Sequence, residues 1–266
     1  MKKLVALLLC MCVVACSKVP LTQRNQMNLL PEGEVVSMSL TAYNDFLKTN
    51  KVVESGKDLA DVERVSARLI PAVEEVLKQI GCADRIKGYK WDVRLVKSNE
   101  INAWCMPGGK IVVYTGILPY TKNDAGLAVI LGYEIAHAIA RHGNERMSQS
   151  LLITTGYLAL DAATANEPAK TRKLLLSAVG VGATVGVILP FSRLQESEAD
   201  RLGLIFMAAA GYDPHEAIAF WQRMSKNGSN VPEFLRTHPS DKRRIEDIER
   251  EYITEAMPYY HPERGD

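Results

Sequence analysis

Apolar side chains recur at helical spacing from Ala125 to His142; Asn123 or Asp124 can cap the start of that stretch and Gly143 can end it. Upstream, Ser37 to Thr49 and Lys57 to Ile80 follow the same period, the second with Leu59, Val62, Val65, Leu69 and Val73 on one face and Pro71 as an expected kink. From Tyr89 to Val96 apolar and polar residues alternate instead, as in a half-buried strand. Asn102 to Cys105 and Lys110 to Tyr114 are further strand-like runs, and the intervening Met106-Pro107-Gly108-Gly109 predicts a hairpin turn.

After the Ala125–His142 stretch the pattern is almost wholly helical. Glu145 to Leu160 predicts a helix, and Asp161 to Lys173, rich in Ala, Thr, Asn and Pro, a mobile loop. Leu174 to Phe191 is largely apolar and contains Gly180, Gly182, Gly186 and Pro190. It reads first as a buried helix packed closely against its neighbours, and second as a membrane-associated segment. Ser192 can cap a helix from Arg193 to Ala210 that Gly211 closes. Pro214 lies near the start of another that reaches about Lys226, and Pro239-Ser240 opens the last, to about Ala256. Few strands and many helices predict a mainly helical α+β fold with a small antiparallel sheet. No internal repeat is visible.

Charge and composition alter this picture mainly at the N-terminus. Lys2 and Lys3 precede an apolar run from Leu4 to Ala15, the pattern of a secretory signal. Val13-Val14-Ala15-Cys16 resembles a bacterial lipobox, in which cleavage precedes the cysteine and its thiol is lipidated; the other reading is a plain signal with a chance cysteine. The expected organisation is a signal peptide over residues 1–15, a lipid-anchored extended leader over 16–36 and one folded domain over 37–266. The anchor would hold the chain on the periplasmic side of a bacterial membrane, and Ser17 favours the outer one by analogy. Loss of the signal takes Lys2 and Lys3 with it and moves the formal charge from +1 to −1. No basic stripe remains, which argues against a nucleic-acid partner. Cys82 and Cys105 would be the remaining free cysteines, and a disulfide or two thiols are both open.

The candidate chemistry sits inside the first helical stretch. Tyr133-Glu134-Ile135-Ala136-His137 differs by one letter from H-E-x-x-H, in which two imidazoles at i and i+4 share a helix face and grip zinc while the Glu acts as base. A catalytic zinc site needs three protein ligands and an open position. Glu196 and Asp200, also at i and i+4, put two carboxylates on one face of a second helix, where one could bind the ion and the other orient a ligand from behind.

With Asn102-Ala-Trp-Cys-Met-Pro-Gly-Gly109, Tyr114-Thr-Gly-Ile-Leu118, His137-Ala-Ile-Ala-Arg-His142, Ser192 to Gly203, and Thr237-His-Pro-Ser240 followed by Arg244-Ile245, these stretches resemble peptidase family M forty-eight. That family comprises gluzincin zinc metalloproteases, including HtpX-like proteases, the CAAX prenyl protease and bacterial outer-membrane lipoproteins. The resemblance implies a gluzincin fold with an edge strand, Asn102, Ala103, Trp104 and Cys105, beside the active-site cleft. It implies one zinc ion with His137 and Glu196 as ligands, Glu134 as general base, Asp200 as a carboxylate behind the ligands and His238 close to the metal. His142 is read as structural and pointing elsewhere, and His215 and His261 show no partner. Where the family has histidine this chain has Tyr133. Phenolate can ligate a metal, but its free pKa lies near 10. A Tyr133–Asp200 hydrogen bond is the expected alternative, and His238 is the candidate to fill the missing ligand position.

Two functions follow. The first is a lipid-anchored zinc endopeptidase acting in quality control on periplasmic or outer-membrane proteins, with the edge strand pairing to an extended peptide substrate. The second is a catalytically inactive, metal-poor module that binds extended segments or an envelope assembly partner.

Overall fold

The computed structural model describes residues 16–183, 188–226, 233–238 and 242–264. Residues 1–15, which carry the expected signal, and 184–187 of the apolar stretch lie outside the described residues. The chain opens with a hairpin of β1 (Cys16–Lys18) and β2 (Asn25–Met27), followed by helices α1 (Glu32–Thr49) and α2 (Lys57–Gln79). The segment 16–36 is therefore not an extended leader: it is folded onto the domain, with Val19 and Gln26 buried, and α1 starts before Ser37. Its polar side chains find partners on distant helices, a form of long-range pairing that local composition does not reveal.

Strands β3 (Asp92–Val96), β4 (Ala103–Met106) and β5 (Lys110–Tyr114) form one sheet in the order β3-β5-β4. The β4–β5 hairpin is antiparallel as expected, and Gly108 (φ 89°) and Gly109 (φ 79°) supply the left-handed turn that its two-strand twist favours. β3 joins in parallel to β5, so the sheet is mixed rather than purely antiparallel. The chain crosses from β3 to the far side of β5 before turning back, which leaves β4 as an edge strand against the next long helix.

That helix, α4 (Asp124–Ile139), follows the short α3 (Leu118–Thr121). Asn123 caps it by accepting the Gly126 N–H at 2.8 Å. Every residue from Gly126 to Ile139 is buried. A helix apolar on all sides must be enclosed, and α2, β4 and α7 (Leu189–Ala209) surround it. Gly143 does not end it. Arg141 does, by entering the left-handed region at φ 58°, after which α5 (His142–Ala163) begins. That conformation costs a non-glycine residue about 1–3 kcal/mol. Tertiary contacts offset it: Gln26 Nε2 donates to the Ala140 carbonyl at 2.7 Å, and Arg141 pairs with Glu32 at 3.1 Å.

The expected Asp161–Lys173 loop is mostly helical, with α5 running through Ala163 and α6 (Ala169–Ala183) starting soon after. α6 is not the buried helix expected from its hydropathy. None of its residues is buried, and Leu174 and Val181 are 71% and 64% exposed. No helix among the described residues is long and apolar enough to cross a membrane. α8 (Glu216–Ser225), α9 (Glu233–Thr237), α10 (Lys242–Asp247) and α11 (Ile253–Ala256) complete the fold. The Pro239-Ser240 start of the last predicted helix lies outside the described residues. Cys82 and Cys105 are free thiols.

One contact sets the geometry of the centre. Where α4 meets α7, a Cβ on Gly132 would lie 2.7 Å from the Gly203 carbonyl oxygen, and a Cβ on Gly203 would lie 2.8 Å from the Tyr133 nitrogen. Only hydrogen at both positions lets the two backbones touch. Gly203→Ala should therefore lower stability by about 1–3 kcal/mol, the usual range for overpacking. Urea denaturation would show it, and an unchanged midpoint would mean that the helices have room to part.

Candidate metal centre

The glycine contact places one face of α4 against one face of α7. Tyr133 and His137, one turn apart on α4, bring their rings to 4.6 Å in an edge-to-face arrangement. Glu196 and Asp200, one turn apart on α7, lie opposite, and His238 follows α9 with its N–H bonded to the Phe234 carbonyl. His137 Nε2 is 3.6 Å from Glu196 Oε1, and His238 Nδ1 is 3.1 Å from the same oxygen. The ligand atoms of His137, Glu196 and His238 all lie within 4.8 Å of one another. Zinc at about 2.0–2.1 Å from each of three tetrahedral ligands needs donor atoms roughly 3.3 Å apart, comparable with the 3.1 and 3.6 Å separations from Glu196 Oε1.

The chemistry of the donors is suited to a cation. His137 Nε2 and Glu134 Oε1 are buried and have no hydrogen-bond partner among the described residues. Such orphans are rare in folded proteins, and groups of this kind suit an ion and its water. His238 Nε2 is 3.7 Å from Glu134 Oε1, which puts the carboxylate next to the candidate ligands rather than among them. Two nitrogens and one carboxylate oxygen are a donor set that zinc accepts.

Burial dominates the electrostatics. It pushes the Glu134 carboxyl up to about 7 and the Asp200 carboxyl up to about 6, the latter against the pull of Arg244. It drives His137 well below the usual imidazole range, and the charges of His238 and His142 add to that. His142 is also lowered by burial, although its bond to Glu198 opposes the shift. Both rings are thus neutral. For Glu196 and Glu198 burial works upward but loses. His238 and Arg244 hold Glu196 below its ordinary value, and the donors His142 and Arg24 bring Glu198 to about 2. Tyr133 is raised well above its ordinary value by burial and by Glu196, so it is a neutral phenol rather than a phenolate ligand.

Tyr133 does not bond Asp200. Its hydroxyl donates to Glu196 Oε2 and lies 2.9 Å from His238 Nδ1. Asp200 is taken instead by Arg244, whose Nη2 and Nε reach its two oxygens at 2.8 Å each. The same guanidinium stacks on Trp221 at 3.4 Å and over the Tyr133 ring at 4.7 Å. His142 does not point elsewhere either: its Nδ1 is 2.8 Å from His137 Nδ1, and its Nε2 is 3.1 Å from Glu198 Oε2. His215 and His261, read as unpartnered, lie beside Asp213 and Glu263 at the surface.

β4 runs from Ala103 to Met106, one residue later than the expected Asn102–Cys105. The Cys105 backbone bonds the Glu134 carboxylate, Asn102 Oδ1 accepts the Ala103 N–H at 2.9 Å, and Trp104 packs on Phe46 at 5.1 Å. Sequence reasoning missed Arg244 as the partner of Asp200, and missed Arg24, His142 and Glu198 entirely as parts of the site. Their only signal was unusual polarity on faces that the fold buries.

Two buried helices thus bring histidine and glutamate donors together beside a carboxylate with one unpartnered oxygen. The chain belongs to Peptidase family M48, whose family model matches residues 64–252. It is 36% identical over 188 residues to mitochondrial metalloendopeptidase OMA1 of Schizosaccharomyces pombe, covering 70% of this chain and 53% of that one. It is 30% identical over 241 residues to the OMA1 metalloendopeptidase of Homo sapiens, covering 87% and 45%. It is also 30% identical over 234 residues to the beta-barrel assembly-enhancing protease of Yersinia pestis, covering 82% and 47%. The chain spans about half the length of these curated relatives.

Glu134 gives the centre a testable pH dependence. Its folded pKa of about 7 exceeds the ordinary 4.5, so the folded metal-free chain holds a proton that the unfolded chain has released. The stability associated with this group is full below about 4.5 and is lost as pH rises through about 7. Glu134→Gln should therefore raise the melting temperature of the metal-free protein near pH 8 and change it little near pH 4. Calorimetry at the two pH values checks this; an equal change at both would contradict it.

Proposed function

We propose that this chain is a zinc-dependent metalloendopeptidase of the cell envelope in which His137, Glu196 and His238 hold one zinc ion and Glu134 is the general base. The observation that carries this reading is the convergence of those three donors within 4.8 Å, next to a buried carboxylate. When bound, zinc would supply the Lewis acidity that acidifies water and polarises a peptide carbonyl. Glu134, poised near neutrality, would take a proton from the attacking water and pass it to the leaving amine. β4 and the adjoining Asn102 would hold an extended protein or peptide segment through main-chain hydrogen bonds, with broad side-chain tolerance. Tyr133 would act on Glu196 by donating a hydrogen bond, and Asp200 would anchor Arg244 behind the site.

The envelope location rests on the signal-like residues 1–15 and the lipobox-like Cys16, with a lipid anchor and a periplasmic, outer-membrane placement as the expectation. The name of the Yersinia pestis relative agrees with it. So does the outward-facing apolar surface of α5 and α6, where Leu151, Leu158, Leu174 and Val181 are exposed and no charged residue falls between Leu174 and Ala183. Protein substrates and a lipid surface are the partners this reading implies; nucleic acid is not.

One observation favours the second reading, a metal-poor module that binds extended segments without cutting. The Tyr133–Glu196–His238 hydrogen bonds form a network that satisfies Glu196 without an ion. Zinc content by mass spectrometry and casein cleavage separate the two. Under the enzyme reading the natural chain carries zinc, His238→Ala loses it, and Glu134→Gln keeps zinc while cleavage falls by about 100-fold or more. A natural chain without zinc or activity, with both appearing in Tyr133→His, would establish the module instead.

A further inference from the structure

The buried polar chain behind His137 has no part in the chemistry above, yet it ends on the atom opposite the candidate ligand nitrogen. It begins in the N-terminal hairpin. Arg24 Nε and Nη2 donate to Glu198 Oε1 and Oε2 at 2.9 Å each, Thr22 Oγ1 donates to Oε1 at 2.8 Å, and His142 Nε2 lies 3.1 Å from Oε2. Arg24 also grips Glu145 at 2.6 and 2.7 Å, and Gln195 Nε2 donates to the same carboxylate at 2.8 Å. The connection between β1 and β2 is thereby fastened to both α5 and α7.

The proton positions follow from this arrangement. An ionised carboxylate only accepts, so the hydrogen between Glu198 and His142 sits on His142 Nε2. In a neutral imidazole the other nitrogen is then an acceptor, so His142 Nδ1 presents a lone pair. His137 Nδ1, 2.8 Å away, must supply the hydrogen. That leaves His137 Nε2 with its lone pair directed into the centre, at the nitrogen that has no protein partner. With the opposite tautomer at His142, two N–H groups would face each other across a buried gap; with the opposite tautomer at His137, two lone pairs would, and His137 Nε2 would carry a hydrogen where a metal needs electrons.

We propose that Arg24, Glu198 and His142 are positioning residues that fix the tautomer and ring plane of His137, so that the hairpin over residues 16–27 is a working part of the metal centre. The proposal rests on the reading of His137 as a ligand. Partners of this kind behind a ligating histidine typically change metal affinity by about 10–100-fold. The N-terminal segment therefore serves two ends, a link toward the expected anchor and a brace behind the ligand. Displacing it would weaken the centre without touching the cleft.

Two measurements on the full chain test this. Long-range proton–nitrogen NMR on the histidine-labelled, metal-free protein reads the tautomer directly and needs no variant. His137 should be the Nδ1–H form and His142 the Nε2–H form. Chelator competition then measures zinc affinity, and cobalt substitution reads ligand geometry by its visible spectrum. His142→Phe and Arg24→Met should each bind zinc about 10–100-fold more weakly, with an altered cobalt spectrum. His142→Gln, whose amide oxygen can accept from His137 Nδ1, should recover most of the loss. An Nε2–H form of His137 in the natural chain would overturn the proposal, as would natural affinity and spectrum in both His142→Phe and Arg24→Met. If the natural chain binds no zinc, the metal reading fails on that ground alone, while the tautomer measurement still decides whether the relay exists.

Discussion

The backbone contact between Gly132 and Gly203 is the constraint from which the centre follows. Two helices with ordinary side chains at their crossing pack 8–10 Å apart. Here each helix offers hydrogen alone at the crossing, and the side chains just beyond it reach each other. Tyr133 then touches Glu196, His137 comes within 3.6 Å of it, and the Glu196 and Asp200 carboxylates lie in the interior rather than in water. α4, which carries half of the site, is buried from Gly126 to Ile139.

Concentrating this much charge in a core requires compensation. Among the described residues, Arg244 neutralises Asp200 and leans on Trp221 and Tyr133, while Arg24 is clamped between Glu145 and Glu198. Buried pairs of this kind add little net stability by themselves, because desolvation consumes much of the Coulomb gain, but loss of one partner is costly. Their effect is specification: each carboxylate has one place to go. Glu134 is the exception, with an oxygen that is buried and unpartnered, and it is the group that the proposed chemistry needs to be reactive.

Tyr133 changes the logic of the centre rather than abolishing it. A neutral phenol cannot stand in for an imidazole ligand, but it donates to Glu196 and sits 2.9 Å from His238 Nδ1. The same network accounts for the tension between the two functional readings. It is compatible with a metal held by His137, Glu196 and His238, and it is also complete enough to exist without one.

Much of this was legible in the residues themselves. The capped helix from Asn123, the β4–β5 hairpin with its two glycines, the edge strand and the i, i+4 pairs Tyr133/His137 and Glu196/Asp200 all follow from local spacing, because period and turn chemistry act over a few residues. What needed the folded chain was every interaction between positions far apart in sequence. Arg141 rather than Gly143 ends α4 because Gln26 and Glu32 stabilise that turn, and α6 is exposed although its hydropathy suggests a core. His142 faces His137 only because the left-handed Arg141 redirects the chain, and Arg24 meets Glu198 across more than a hundred residues. The sequence alone determined which side chains could do metal chemistry. Only tertiary structure decided which of them meet, since burial and long-range pairing depend on where the whole chain goes.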